Sequence, residues 1–471
     1  MKQILLAGVA AILSFARLNA QNTDPYVAVT RQITAHFNSK NYKAFYGLLS
    51  PAFAAEQSEA QITQFLKNLH ATYGPVNSIR FLGLQEPFAR YKASCSEGEL
   101  EMLLACNGKQ EIEGLSFVPY AEPVSSQRLL QSNNPMKSPF DRAVDSLVRT
   151  YLSDPATAGL SIGIVKNGQE IYYHYGEIKK GTGRLPGNSS IYEIGSVTKT
   201  FTGILLAKAI EEHKVSADDD IRQYLPPSCS KLVYKQTPVT LVQLANHTAG
   251  IPRIPDNLTR QKAFDASDPY RNYTKDMLFA DLAKLRLKRM SGTVTDYSNS
   301  GMALLGIILG GVYGKSYDAL VKEKITGPLN MSATGNDVPV ERLNDFCGGY
   351  DEKGEQTSHW NFADMSPAGG LRSTPEDMMR YLRANLNAND SAIKASHAPT
   401  FRSNNYNGVG MAWQLQQSLS GDELVWHNGG TYGFSSFLAF MKSRDCGLFL
   451  LSNCGKSVDG LAIQLLKELK K

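Results

Sequence analysis

The sequence predicts an α+β protein built from antiparallel sheets and packed helices. Three observations carry this. Over residues 22–120, helical periodicity comes first and strand-like alternation follows, without interleaving. In residues 138–471, strand-like runs stand at both ends with a mostly helical stretch between them. The composition is that of a globular chain: of 471 residues, 42% are hydrophobic and 20% charged, enough apolar surface for a core. The net charge of +5 is not gathered into any basic run, which argues against a nucleic-acid partner.

Residues 1–20 (MKQILLAGVAAILSFARLNA) read as a secretory signal. Lys2 gives a basic start, and Ile4 to Leu13 form an apolar stretch too short to span a bilayer. Cleavage after Ala20 is expected, although Leu18 departs from the small-residue rule at such sites. Its removal takes Lys2 and Arg17 and lowers the net charge from +5 to +3. The expected location is secreted or periplasmic. No later segment is apolar enough to be a membrane span. An exported chain could pair its six cysteines. Cys95 and Cys106, on consecutive strand-like runs, allow a hairpin disulfide; Cys446 and Cys454 flank one strand-like run, whose ends lie too far apart to bridge. Neither Cys-x-x-Cys nor His-Glu-x-x-His occurs, so no metal site is expected.

In the first unit, 22–120, helices are expected in DPYVAVTRQITAHF, YKAFYGLL and EAQITQFLKNLHATYG. Strands follow in VNSIRFLGL, FARYKASC, ELEMLLACNG and KQEIEGLSFVPY. No acid/base constellation appears among them, so this unit is expected to position substrate or act as a spacer. Residues 121–137 are polar, contain two prolines and read as a linker. A helix is expected at 138–153, with Ala143, Leu147 and Tyr151 turned inward. Asn167-Gly168 between two β-rich runs predicts a tight hairpin. Strands are expected in VGMAWQLQQ, ELVWHNGG, GFSSFLAFMK and CGLFLLSN, and a last helix at 457–470. One sheet assembled from distant segments, with a helical part beside it, satisfies this order.

Ser-x-x-Lys occurs three times, as Ser196/Lys199, Ser228/Lys231 and Ser391/Lys394. Only the first opens a sustained apolar helix, VTKTFTGILLAKAIEEH. Residues i and i+3 share a helix face, so the Lys199 amine can reach the Ser196 hydroxyl and activate it. Free N–H groups at a helix start favour negative charge on the acyl oxygen. Read alone, the pattern favours a capping serine and a solvated first-turn lysine; what stands downstream changes the balance. Tyr297-Ser298-Asn299 follows downstream, and His427-Asn428-Gly429-Gly430 closes a strand-like run. A second Tyr-x-Asn, Tyr270 to Asn272, sits in a charged loop and warns that this motif alone is weak.

The order Ser-x-x-Lys, Tyr-x-Asn, then Lys/His-x-Gly resembles the class C β-lactamase and penicillin-binding-protein serine hydrolases. Two further stretches are similar to that family: Leu241-Val-Gln-Leu-Ala-Asn-His247-Thr-Ala-Gly250 and Ser366-Pro-Ala-Gly-Gly-Leu-Arg-Ser-Thr374. The likeness covers residues 138–471 and implies a β-lactamase/transpeptidase-like fold there. The 22–120 unit resembles the cone-shaped nuclear-transport-factor-like superfamily, though no residue motif pins it. Carried over, the resemblance makes Ser196 the acylated nucleophile, Lys199 its proton acceptor and Tyr297 a phenolate or proton shuttle. Asn299 would bind the substrate amide and Lys199. His427, Gly429 and Gly430 would line the substrate site, with the Ser196 and Gly430 N–H groups as the oxyanion hole. Whether Lys199 or Tyr297 is the resting base stays open. Family β-lactamases usually carry lysine where His427 stands, and histidine is mostly neutral at pH 7. The implied reaction is hydrolysis of D-amino-acid peptides, β-lactams or esters, with peptidoglycan fragments among the substrates and no cofactor or metal required. A second reading of the same motifs is a penicillin-binding sensor that acylates without efficient hydrolysis. His247 and His359 are expected to be structural.

Overall fold

The computed structural model describes residues 24–85, 87–120, 130–418 and 421–470. The expected signal, 1–20, lies outside them, as does most of the expected linker. The chain forms two compact units, 1–123 and 124–471.

The first unit packs four helices, α1 (Val27–Asn38), α2 (Tyr42–Tyr46), α3 (Pro51–Glu56) and α4 (Glu59–Tyr73), with four strands, β1 (Val76–Gln85), β2 (Phe88–Cys95), β3 (Gly98–Cys106) and β4 (Ile112–Pro119). Ser58 starts α4 through a capping box with Gln61. The strands form an antiparallel meander in sequence order. Phe37, Phe45 and Leu66 from the helices meet Tyr91, Met102 and Leu104 from the strands in one core. The Cys95–Cys106 disulfide is not made, and all six cysteines are free. The register explains this: Cys95 faces Gly98 at the turn, and Cys106 lies at the other end of β3. Eight strand steps of about 3.3 Å separate the two ends, far beyond disulfide reach.

The second unit is a sheet covered on both faces. Helix α5 (Pro139–Leu152) precedes the hairpin of β5 (Gly159–Lys166) and β6 (Gln169–Gly176). Asn167 and Gly168 both take positive φ at the turn, 53° and 75°, as a type I′ turn demands. Residues 131–133, expected as linker, instead bond to β6. The sheet has eight antiparallel strands, ordered Phe401–Arg402, Asn407–Val409, Gln414–Gln417, Glu423–Gly430, Ser435–Met441, Cys446–Ser452, β5, β6. The last strand of the chain therefore pairs with the first strand of the unit.

Side chains alternate between two cores, as strand geometry requires. Leu448 and Leu450 join a layer with Val144, Val148, Leu461 and Leu465 from α5 and the final helix, Asp459–Leu469. Phe449 and Leu451 face the helical side. The inward face of α5 is thus Val144, Val148 and Leu152, one residue out of phase with the expected Ala143, Leu147 and Tyr151, which are only half-buried. Leu147 and Tyr151 flank the buried stripe; two adjacent apolar rows of the same period make the phase ambiguous in sequence.

Helix α6 (Thr198–Glu211) is buried nearly all round, the mark of a central core helix. Two glycines set how closely it and its neighbour are packed. A Cβ on Gly203 of α6 would stand 2.1 Å from the Met411 carbonyl oxygen. A Cβ on Gly306, in the helix Asn299–Tyr313, would stand 2.2 Å from the Pro367 ring. The second close approach fixes the turn Ala363–Ala368 against that helix. No single described helix is long and apolar enough to cross a membrane.

Candidate active site

Ser196 lies in a one-turn 3-10 segment, Gly195–Val197, that runs straight into α6. Val197, not Ser196, stands at the cap of α6, and the Ser196 hydroxyl bonds Lys199 and Tyr297 instead, so it is not spent on the helix. Gly195 has φ +49° and packs against Gly430; a Cβ there would lie 2.6 Å from the Gly430 amide nitrogen. A Cβ on Gly429 would lie 2.2 Å from the Ile194 oxygen and 2.8 Å from the Ser196 nitrogen. The strand Glu423–Gly430 thus lies flush against the serine turn because two glycines leave no side chain between them. Ser436 on the next strand donates to the Ile194 carbonyl at 2.8 Å and pins the same turn.

One turn on, Lys199 is fully buried. Its Nζ lies 2.9 Å from Ser196 Oγ and 2.5 Å from the Ala368 carbonyl oxygen. Burial, aided by the nearby Arg253 charge, pushes its pKa well below that of a free lysine. Tyr297 brings its ring within 4.7 Å of the Lys199 amine and 4.8 Å of the Arg253 guanidinium. Burial raises the phenol to about 12, against the pull of its hydrogen bond with Ser196 and of Arg253. The two groups whose roles were left open thus shift in opposite directions, the amine toward neutrality and the phenol away from ionisation.

His247 has φ +63° at the end of the short helix Leu241–Ala245 and packs against Tyr297 in a tilted pair, ring centres 4.5 Å apart. Its Nδ1 accepts from the Ser298 N–H at 3.2 Å, so it supports the tyrosine turn. His359 bonds the Cys347 carbonyl and stacks on Phe346.

Two expectations change. Asn299 does not bond Lys199: its Nδ2 donates to the Tyr270 hydroxyl at 3.3 Å, and its Oδ1 is buried without a partner. The Lys199 amine is committed to Ser196 and to Ala368 instead. His427 is on the strand beside the site, 6.2 Å from the Tyr297 ring, but only 1% exposed. Its Nδ1 lies 2.6 Å from the Asn428 oxygen, and burial beside Lys199 holds its pKa down at about 3. It is a neutral ring, as a histidine there was expected to be, but it is buried and is not among the residues that line the cleft.

The open cleft above Ser196 has a volume of about 470 Å³. Tyr297, Asn428, Gly429, Gly430 and Arg253 line it. Sequence reasoning missed three parts. Ala368 lies inside the flagged Ser366–Thr374 stretch. Tyr270 belongs to the Tyr-x-Asn set aside as a warning. Arg253 follows the His247–Gly250 run with no motif of its own.

The family description "Beta-lactamase" matches residues 144–468, about two thirds of the chain. The chain belongs to the β-lactamase family. The match to this serine-hydrolase family begins beyond the first unit. Among curated relatives, the β-lactamase-family chain is 27% identical over 312 residues to the D-alanyl-D-alanine-carboxypeptidase/endopeptidase AmpH of Escherichia coli K12, covering 62% of this chain and 78% of that one. It is 25% identical over 362 residues to a β-lactamase of Lysobacter lactamgenus, covering 69% and 90%. Among solved structures, a β-lactamase/D-alanine carboxypeptidase from Pseudomonas syringae shares the fold, with a TM-score of 0.62, 21% identity and coverage of 70% and 99%.

Proposed function

We propose that the protein is an exported serine hydrolase that cleaves amide or ester bonds through an acyl-enzyme on Ser196. The observation that carries this is the 2.9 Å approach of a fully buried amine to the Ser196 hydroxyl. A neutral Lys199 keeps one N–H on the Ala368 carbonyl and offers its lone pair to the Oγ proton. Oγ then attacks the substrate carbonyl carbon, and the C=O electron pair moves onto oxygen. The Ser196 and Gly430 N–H groups stabilise that oxyanion. The C–N or C–O bond breaks as the leaving group takes a proton, relayed through the Tyr297 hydroxyl, which at about 12 stays protonated at neutral pH. Water attacks the acyl-enzyme by the reverse sequence, freeing the acid and Ser196. The unpartnered Oδ1 of Asn299 accepts the substrate amide N–H.

The neutral His427 offers no cation to a substrate carboxylate from the strand Glu423–Gly430, which disfavours the lysine-anchored binding of β-lactams in the family; D-amino-acid peptides, peptidoglycan fragments among them, and esters are the substrates we favour. Export rests on residues 1–20.

A fluorophosphonate probe is expected to label the purified protein, and Ser196→Ala to abolish the label. A D-Ala-D-Ala peptide, a para-nitrophenyl ester and a chromogenic cephalosporin, run side by side, rank the substrates. Absence of both labelling and turnover overturns the proposal. An adduct that persists in intact-mass spectra with no turnover favours the sensor reading.

A further inference from the structure

One cation lines the cleft to which the reaction outlined above gives no contact with substrate. Arg253 lies in the loop after Leu241–Ala245, and its side chain is exposed. Its backbone is fixed: the Arg253 carbonyl accepts from the Asn299 N–H at 2.9 Å and the Ser300 N–H at 3.3 Å, at the start of the helix Asn299–Tyr313. Its guanidinium sits 4.8 Å from the centre of the Tyr297 ring and lines the cleft with Ser196. Among the described residues no carboxylate pairs with it. An arginine that lines a cleft without an acidic partner leaves its donors for a ligand.

The rest of the cleft sharpens the assignment. Lys199 is buried and engaged, and His427 is buried and neutral. Asp459 is the acid that lines the cleft, and Asn428 holds it at 2.7 Å. A substrate anion therefore meets one solvent-facing cation, on the Asn299 side, and one carboxylate, beside Asn428. The planar fork of a guanidinium matches a carboxylate in a two-bond pairing.

We propose that Arg253 is the specificity-determining residue that binds a carboxylate of the substrate, from outside the strand Glu423–Gly430 on which a family lysine would stand. This rests on the hydrolase reading. It places charge recognition on the helical wall that carries Tyr297 and Asn299, not on the strand Glu423–Gly430.

The test compares wild type, Arg253→Ala and Arg253→Lys on two matched pairs. One pair is an acyl-D-Ala-D-Ala peptide and its C-terminal amide. The other is a para-nitrophenyl ester with a carboxylate at the far end of its acyl chain and the neutral ester of equal length. The readout is the ratio of kcat/KM within each pair, so any effect of Arg253 on the Ser196, Lys199 and Tyr297 chemistry cancels. A loss of about tenfold or more in the carboxylate-to-neutral ratio, through KM and partly restored by lysine, is expected in at least one pair. Loss in the first pair puts the carboxylate on the leaving group; loss in the second puts it on the acyl group. Ratios unchanged in both pairs, in variants that still label with the fluorophosphonate, overturn the assignment. Binding of N-acetyl-D-alanine against its amide to Ser196→Ala, with and without Arg253→Ala, gives the same comparison without turnover. A wild type that never labels points instead to failure of the hydrolase reading.

Discussion

The Lys199 amine lies 2.9 Å from the Ser196 hydroxyl, and its second contact is the carbonyl of Ala368, not an acid. A carboxylate there would stabilise the ammonium form and remove the base. A carbonyl accepts one N–H without adding a full charge. The amine is thus oriented and desolvated together, which is what a proton acceptor at neutral pH needs.

Lys199→Ala is expected to lower the rate of fluorophosphonate labelling by about 100- to 10,000-fold, the range for loss of a positioned base. In wild type, the labelling rate should rise with pH as Lys199 loses its proton, then level off well below the value for a free lysine. Stopped labelling at a series of pH values reads both. A rate that keeps climbing to pH 10.5 would place the amine in water.

Tyr297→Phe keeps the ring that His247 and Arg253 contact and removes only the hydroxyl. Thermal stability should stay within a few degrees of wild type, while turnover falls by about 100-fold or more. Because the phenol sits at about 12, the lost function is proton donation, so an activated ester with a weakly basic leaving group should suffer less than a peptide. Equal losses on both substrates would contradict the shuttle role.

How far the sequence could be read follows the length scale of each contact. Ser196 and Lys199 were legible because their spacing is local and a helix face enforces it. One sheet drawn from distant segments was legible because strand-like runs stand at both ends of residues 138–471; its burial on both faces shows in the near-continuous apolar runs of Ser435–Met441 and Cys446–Ser452, which were read only as strands. Failures came where a partner lies far along the chain. The Ala368 carbonyl, 169 residues from Lys199, took the donor that Asn299 was expected to meet. Tyr270 looked like a decoy in a charged loop, yet it is buried and bonded to Asn299. The phase of α5 slipped by one because the residues flanking its buried stripe are apolar too. Cys95 and Cys106 looked adjacent because pairing two strands says nothing of register until the turn is placed.

Gly429→Ala and Gly430→Ala should separate although they are neighbours. The added carbon at 429 meets backbone on two sides, the Ile194 oxygen at 2.2 Å and the Ser196 nitrogen at 2.8 Å. Backbone cannot rotate away, so the strand must lift from the serine turn and pull the Gly430 N–H out of place. Loss of one oxyanion donor costs about 100- to 1000-fold, and Gly429→Ala is expected to show at least that. At 430 the nearest atom is the Phe434 oxygen at 3.7 Å, ordinary contact, so Gly430→Ala should keep most of its activity. Steady-state kinetics on the two variants decides; similar losses in both would mean the two glycines serve flexibility rather than approach.

Acid should destabilise the fold well before its ordinary carboxylates protonate. Five histidines, 174, 247, 359, 397 and 427, have pKa values lowered by burial, with His397 and His427 at about 3. Unfolded, each would take a proton near its usual value of about 6.5. Below that pH the unfolded chain binds more protons than the native one, so stability falls as pH drops below about 6.5, and for His397 and His427 down to about 3, by up to about 1.4 kcal/mol per pH unit for each histidine. Glu193 works the other way. Burial pushes it up to about 7, against the pull of its hydrogen bond from Thr431, so the native state holds a proton that the unfolded chain releases, and stability is gained as pH falls from 7 toward 4.5. Histidines outnumber it, and the net slope should be a loss from pH 7 to 5. Glu193→Gln removes the opposing group and should steepen that loss; His397→Gln, which leaves the catalytic cleft untouched, should flatten it. Urea unfolding at pH 7, 6 and 5 reads the slope for each variant, and a flat profile in wild type would mean that these rings are protonated in the native state.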